Sequence, residues 1–279
     1  MYRISRNLNA IHQAQQIVRD ELLFAFLSPA QRAALTFDAY ARSGHFSPGG
    51  EFFTLGLFAW EVTLLDHPRV PRAGRVLLAA AGGGRELRAL IERGYQVYGF
   101  EPVEALVRSA QEIARGSDAT VVRASYEDLL ARAQGRSGAL DDMHGPIDLC
   151  HLGWGSFSHL TELDEALGVL TALRGLAPRA PVILSFRMRE PTAAQRFGKE
   201  QKFRHGLRRL LTMVGGHQVG PGLEFYAATG FTHAFSQDEI NALFDQAGYE
   251  LEYFSELGDY PHALLLPRTV DGEGATTSR

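Results

Sequence analysis

Four side chains able to do chemistry crowd into "DLCHLGWGSFSHL", residues 148–160: His151, Trp154, Ser156 and His159. An imidazole there can take a proton from an oxygen or nitrogen nucleophile, and an indole face attracts a cation or packs on an apolar substrate. His159 and His151 are therefore candidate general bases, and Trp154 is a candidate substrate contact. A hydrogen-bonded strand-end imidazole and a core indole are the competing structural readings. The stretch lacks the G-x-S-x-G spacing of a nucleophile elbow. The ten histidines of the chain form no H-x-x-x-H or H-E-x-x-H pair, and adjacent Cys150 and His151 face opposite ways on a strand, so no metal site is expected.

A second group lies earlier. In "VLLAAAGGGREL", residues 76–87, an apolar run meets Gly82, Gly83 and Gly84 and then turns amphipathic. A strand that ends in glycines and passes into a helix leaves backbone N–H groups free for the polar end of a ligand. The dinucleotide spacing G-x-G-x-x-G is not met, because the third glycine position after Gly82 and Gly84 falls on Leu87. Glu101, 17 residues beyond Gly84, ends the next apolar run, where a carboxylate can accept hydrogen bonds from a ribose diol. A surface glutamate at a strand end is the alternative.

These residues resemble the class I S-adenosylmethionine-dependent methyltransferases of small molecules: "VLLAAAGGGREL" their glycine loop, "VYGFEPVEALV" their acidic second strand, "VVRASYEDL" their third-strand turn. The resemblance implies S-adenosyl-L-methionine as cofactor. Ala80, Gly82 and Gly84 would lie along its methionine and ribose, Glu101 on the ribose, Pro102 and Val103 on the adenine face, and Ser125 with Tyr126 at the adenine edge. Leu78 stands where the family often has an acid, Ala80 where it has its first glycine, and Ser125 where Asp is frequent. The cofactor's amino group then needs another partner. Methyl transfer to oxygen or nitrogen can run by in-line alignment alone or with a histidine base. A nicotinamide-dependent oxidoreductase and a non-catalytic nucleotide-binding module are the rival readings.

The elements that must hold these groups alternate from Arg75 onward. Apolar runs "RVLLAA", "YQVYGFE", "ATVVRA", "IDLCHL" and "APVILSF" are separated by helix-period segments, which implies a parallel sheet covered on both faces. "YELEYFS" and "HALLLP" are joined by only "ELGDYP", too short for a parallel crossover, so the last strand should run antiparallel. The expected fold is α/β, a doubly wound Rossmann-like seven-stranded sheet with a helical N-terminal cap. Its parts are a cap or lid over residues 1–73, the methyltransferase-like domain over 74–267, and a disordered tail over 268–279. Within the domain, 190–220 is a basic insertion, either a substrate lid or a solvated helix. Tyr40 and His45 of the cap, and Arg187 after the fifth strand, are candidate substrate contacts.

Bulk properties narrow the partners. A net charge of −4 offers no steering field for nucleic acid, and no apolar run spans a bilayer, so neither nucleic acid nor membrane is an expected partner. One cysteine and a polar N-terminus fit a cytoplasmic protein. The arginines after the fifth strand favour a small acceptor that is acidic or amphipathic. An Asn/Asp-Pro-Pro-Tyr motif after the fourth strand, the mark of enzymes that methylate bases and glutamine, is absent.

Overall fold

Strand β1 (Arg75–Ala79) is an unbroken apolar run because both of its faces are covered: Val76, Leu77, Leu78 and Ala79 are wholly buried. Leu77 and Ala79 enter one core with Phe100, Cys150, Phe157 and Val169, while Val76 and Leu78 enter another with Trp60, Leu64, Leu87 and Ile183. The computed structural model describes residues 2–189, 198–217, 220–258 and 260–269. Residues 190–197 and 218–219 of the basic insertion, and 270–279 of the tail, lie outside the described residues.

The remaining strands are β2 (Gln96–Glu101), β3 (Ala119–Arg123), β4 (Leu149–Leu152), β5 (Val182–Ser185), β6 (Arg187–Met188), β7 (Leu223–Tyr226), β8 (Gly230–Phe235), β9 (Tyr249–Ser255) and β10 (His262–Pro267). Seven form one sheet in the order β3-β2-β1-β4-β5-β10-β9. The pairs among β1 to β5 are parallel, and β10 is antiparallel to both neighbours. This is the expected sheet, reversed last strand included. Strand order turns around at β1, flanked by β2 and β4, and opens a crevice at their carboxyl ends.

The described helices are α1 (Tyr2–Phe26), α2 (Pro29–Arg42), α3 (Glu51–Thr54), α4 (Ala59–Leu65), α5 (Arg85–Glu92), α6 (Glu104–Ala114), α7 (Tyr126–Ala133), α8 (Leu163–Leu176), α9 (Gly198–Met213) and α10 (Gln237–Gln246). Ser28, Ser125 and Ser236 start α2, α7 and α10 with reciprocal capping boxes, a device contributing about 1 kcal/mol each. Helix α4 belongs to the layer on the sheet, since Trp60, Leu64 and Leu65 share the core of Val76 and Leu78. None of the described helices is long and apolar enough to cross a membrane.

One element was not expected from the sequence. Strands β6, β8 and β7 form a second small sheet, with β8 parallel to β6 and antiparallel to β7. Every residue of β8 is buried, so its sequence shows no alternation that would mark a strand. The sheet seats Phe231 beside α2, where the Phe231 N–H donates to Thr36 Oγ1 at 3.0 Å.

Candidate active site

The glycine turn sits in the crevice. After β1 the chain takes a left-handed step at Ala80 (φ 53°), and the Ala81 N–H reaches the Phe100 carbonyl at 2.9 Å. The Gly82 N–H donates to Glu101 Oε2 at 2.9 Å, and the Val103 N–H donates to Oε1 at 3.0 Å. Each carboxylate oxygen keeps a lone pair beyond that bond. Burial pushes the Glu101 carboxyl up to about 7, against the two N–H groups that favour its charge. A Cβ on Gly83 would collide with the Phe46 carbonyl, so the cap lies directly on the loop.

Around this turn lies a cavity of about 510 Å³, lined by Ala80, Gly82, Glu101, Pro102, Val103, Ser125 and Tyr126 among others. Seven of the eight predicted cofactor contacts thus meet at one place. Gly84 does not line it: a Cβ there would lie 2.7 Å from Ile113 Cδ1, so this glycine lets α5 close on α6. The Tyr126 hydroxyl and Ser156 Oγ are 2.8 Å apart, and the Ser125 hydroxyl is engaged in the cap of α7.

The opposite wall comes from α2, the cap and the small sheet: Thr36, Phe37, Tyr40, Phe46, Phe52 and Phe231. His159 lies here. Its Nδ1 is 2.8 Å from the Phe231 carbonyl and its Nε2 is 2.9 Å from the Tyr40 hydroxyl. A carbonyl only accepts, so Nδ1 carries the proton and Nε2 accepts from Tyr40. Burial lowers the affinity of the His159 ring for a second proton. Burial also raises Tyr40, followed by the charges of Tyr260 and Glu101. Tyr40 and His159 form a neutral hydrogen-bonded pair facing the cavity.

Three predicted residues are placed elsewhere. His151 is wholly buried within electrostatic reach of Glu86, does not line the cavity and has its pKa pushed down to about 4 by burial, so it has no access as a base. The His45 side chain is 59% exposed and stands 3.9 Å from Glu51, on the outer side of the turn whose next residue, Phe46, faces in. Arg187 is held outside the cavity by Glu224 (3.2 Å) and Tyr260 (3.3 Å). Trp154 does line the cavity, packed among Phe52, Phe58 and Tyr260 at centroid distances of 5.1, 4.7 and 5.4 Å.

The residues that sequence reasoning missed are Arg85 and Glu86; Glu61, a residue of the expected cap, stands behind them. Arg85 grips both oxygens of Glu61 (2.6 and 2.8 Å), reaches Glu86 Oε1 at 2.6 Å, and lies over the Phe58 ring at 4.5 Å. Glu86 Oε1 also accepts from the Trp154 N–H at 3.1 Å. One guanidinium faces two carboxylates, and they split. Burial, then the Glu86 charge, pushes Glu61 up to about 7. Glu86 is held below the usual carboxylate range, its burial outweighed by Arg85 with help from His151 and the Trp154 N–H. The available signal was an Arg-Glu pair in the first turn of a helix whose N-terminus faces the crevice. Beyond Tyr126 the wall carries Glu127, Glu162 and Glu165, with Arg32 bonded to Glu162 at 2.9 Å. No cluster of three or more metal-binding side chains occurs among the described residues.

Among solved structures the chain is similar to the Burkholderia thailandensis 1,6-didemethyltoxoflavin-N1-methyltransferase, which holds 1,6-didemethyltoxoflavin and S-adenosylhomocysteine. Identity is 18% and the TM-score 0.58, over 88% of this chain and 92% of that one. A SAM-dependent methyltransferase of Leishmania major matches with 12% identity and a TM-score of 0.55, over 86% and 84% of the two chains. The fold is that of the class I methyltransferases. A Rhodobacter sphaeroides protein provisionally described as a Zn-dependent alcohol dehydrogenase also matches, with 15% identity and a TM-score of 0.55 over 84% of this chain and 98% of that one. Identities this low establish the methyltransferase fold and leave the activity to the site. No family model and no curated protein matches the chain.

Proposed function

We propose that the protein transfers a methyl group from S-adenosyl-L-methionine to an oxygen or nitrogen of a small molecule bound in the cavity. The carrying observation is Glu101: a buried carboxylate tied to the Gly82 N–H of the glycine turn, with lone pairs to spare, in the same cavity as Ser125, Tyr126 and Val103. A ribose diol suits those lone pairs, and an adenine suits the wall to which Val103 and Tyr126 contribute. Glu86 answers the absence of an acid at Leu78: its ionised carboxylate lines the cavity beside the loop and suits an ammonium group.

The cofactor, when bound, supplies an activated methyl on sulfur, whose bond to sulfur breaks as the bond to the acceptor forms. The chain's own contribution is alignment, exclusion of water and proton removal. A proton from the acceptor passes to the Tyr40 oxygen as the Tyr40 proton moves to His159 Nε2. His159 is thus the base behind Tyr40, while His151 takes no part.

The acceptor is neutral or cationic with an apolar body. An acidic acceptor is not supported, because Arg187 is occupied by Glu224 and the cavity wall carries Glu127, Glu162 and Glu165. Phe37, Phe46, Phe52 and Phe231 favour a flat or aliphatic body. The lone, buried Cys150 supports a cytoplasmic location.

The deciding experiment is calorimetric titration with S-adenosylhomocysteine and, in parallel, NADH. Binding of the first that weakens in Glu101→Gln supports the reading. Binding of NADH alone would sink it and return the glycine turn to a dinucleotide.

A further inference from the structure

Helix α9 turns most of its large apolar residues outward. Its inner seam is Leu211, Arg204 and Arg208: Leu211 is buried, and the two arginines bond the wholly buried Glu21 carboxylate of α1 at 3.1 and 2.6 Å. Phe203, Leu207, Leu210, Met213 and Val214 recur at the spacing of a different helix face. Phe203, Leu210, Met213 and Val214 are 48, 56, 70 and 65% exposed. A single exposed leucine needs no explanation, but four large apolar groups on one stripe do.

The stripe has a basic border. Lys202, His205 and Arg209 are exposed along one side of it, and neither Lys202 nor Arg209 has an ion-pair partner among the described residues. The sequence of α9 holds Lys199, Lys202, Arg204, Arg208 and Arg209 against Glu200 alone, in a chain whose net charge is −4. An outward apolar stripe edged by exposed cations matches a surface with anionic headgroups above an apolar interior. A second copy fits less well, because a two-fold pairing of the stripes would bring the same cations together.

We propose that α9 is a docking helix that lies on an anionic lipid surface, its apolar stripe in the headgroup boundary and Lys202 and Arg209 on the headgroups. Its place in the fold gives the contact a use. The His217 N–H donates to the Ala25 carbonyl at 2.7 Å, fastening the end of α9 to the end of α1. Helix α1 leads through Ser28 into Pro29 and Ala30, which line the cavity. Docking therefore bears on the segment that opens the cavity wall. The expectation of no membrane partner rested on the lack of a spanning segment, which a helix lying in the interface does not need. The inference does not depend on the methyl-transfer reading.

The test is sedimentation of the full chain with vesicles of phosphatidylcholine, with and without phosphatidylglycerol. The wild type is expected to sediment with the anionic vesicles alone. Lys202→Ala and Arg209→Ala should each weaken that partition about fivefold, and the double variant Leu210→Ser/Met213→Ser should abolish it, with melting temperatures unchanged. If the apolar variant melts early, the two charge variants decide. Equal sedimentation with both vesicle types, or with neither, overturns the proposal. So does a wild-type dimer in solution that the Leu210→Ser/Met213→Ser variant dissociates, which would assign the stripe to a second copy.

Discussion

Tyr40 and His159 stand 119 residues apart in the chain and 2.9 Å apart in the fold. The Phe231 carbonyl on the other ring nitrogen fixes the direction of that bond, since it leaves Nε2 only the role of acceptor. Tyr40→Phe should lower kcat on the order of a hundredfold or more while leaving the affinity for S-adenosylhomocysteine unchanged. His159→Gln should do the same. The pH profile adds a sign: the His159 pKa lies below the usual 6.5, so turnover should persist to below that pH and fall only when the ring gains its second proton. A full kcat in Tyr40→Phe would remove the relay and leave alignment alone.

Glu101→Gln should weaken binding of S-adenosylhomocysteine by about 1.5–3 kcal/mol, the loss of charge-assisted hydrogen bonds to the ribose. The native carboxyl titrates near 7 against a reference of 4.5. Ribose hydroxyls favour its charged form, so affinity should rise with pH and level off above about 7. Calorimetry across that range, wild type against Glu101→Gln, reads the slope directly.

The same group acts on stability with the opposite trend. Between 4.5 and 7 the native state binds the proton more tightly than the unfolded chain. The contribution is therefore complete below the unfolded value and is lost as pH rises through the folded one. Urea unfolding of the ligand-free protein should show this downward slope, and Glu101→Gln should flatten it.

Arg85→Met would leave Glu61 and Glu86 facing each other without the guanidinium that holds both. Breaking a buried ion pair from one side costs about 3–5 kcal/mol. Thermal unfolding at neutral pH should show that loss. The penalty should shrink in mild acid, where the unpaired carboxylates take up protons.

Ala80 is a non-glycine residue in the left-handed region, at φ 53°. Such a residue costs about 1–2 kcal/mol, partly offset by the smaller chain entropy of alanine when unfolded. Ala80→Gly should therefore stabilise the protein by roughly 0.5–1 kcal/mol. An unchanged or lower melting temperature would mean that the methyl group, which lines the cavity, contributes packing that outweighs its strain.

Much of the fold was legible because it is written in local pattern. Buried strands read as apolar runs, the short link before "HALLLP" forced the last strand to reverse, and Glu101 follows its glycines at the distance a helix and a strand consume. What stayed hidden depends on contacts between distant segments. Nothing local tells that Tyr40 meets His159, that Phe46 faces inward while His45 faces out, or that Arg187 is already paired with Glu224. His151 and His159 look alike in sequence, yet one lies below the cavity floor and the other in its wall. The uniformly buried β8 carries no alternation, and β6 is only two residues long, so the small sheet left no periodic trace.

The run Gly82-Gly83-Gly84 answers to three different neighbours. The first gives its N–H to Glu101, the second makes room for the Phe46 carbonyl, and the third lets Ile113 of α6 close on the turn. Three adjacent letters thus join cavity floor, roof and supporting helix at a single corner. A methyl group added at each would fail in its own way: a distorted cradle, a lifted roof, or a helix wedged from its neighbour. Variants at these positions that look equivalent in an alignment should be distinguishable at the bench.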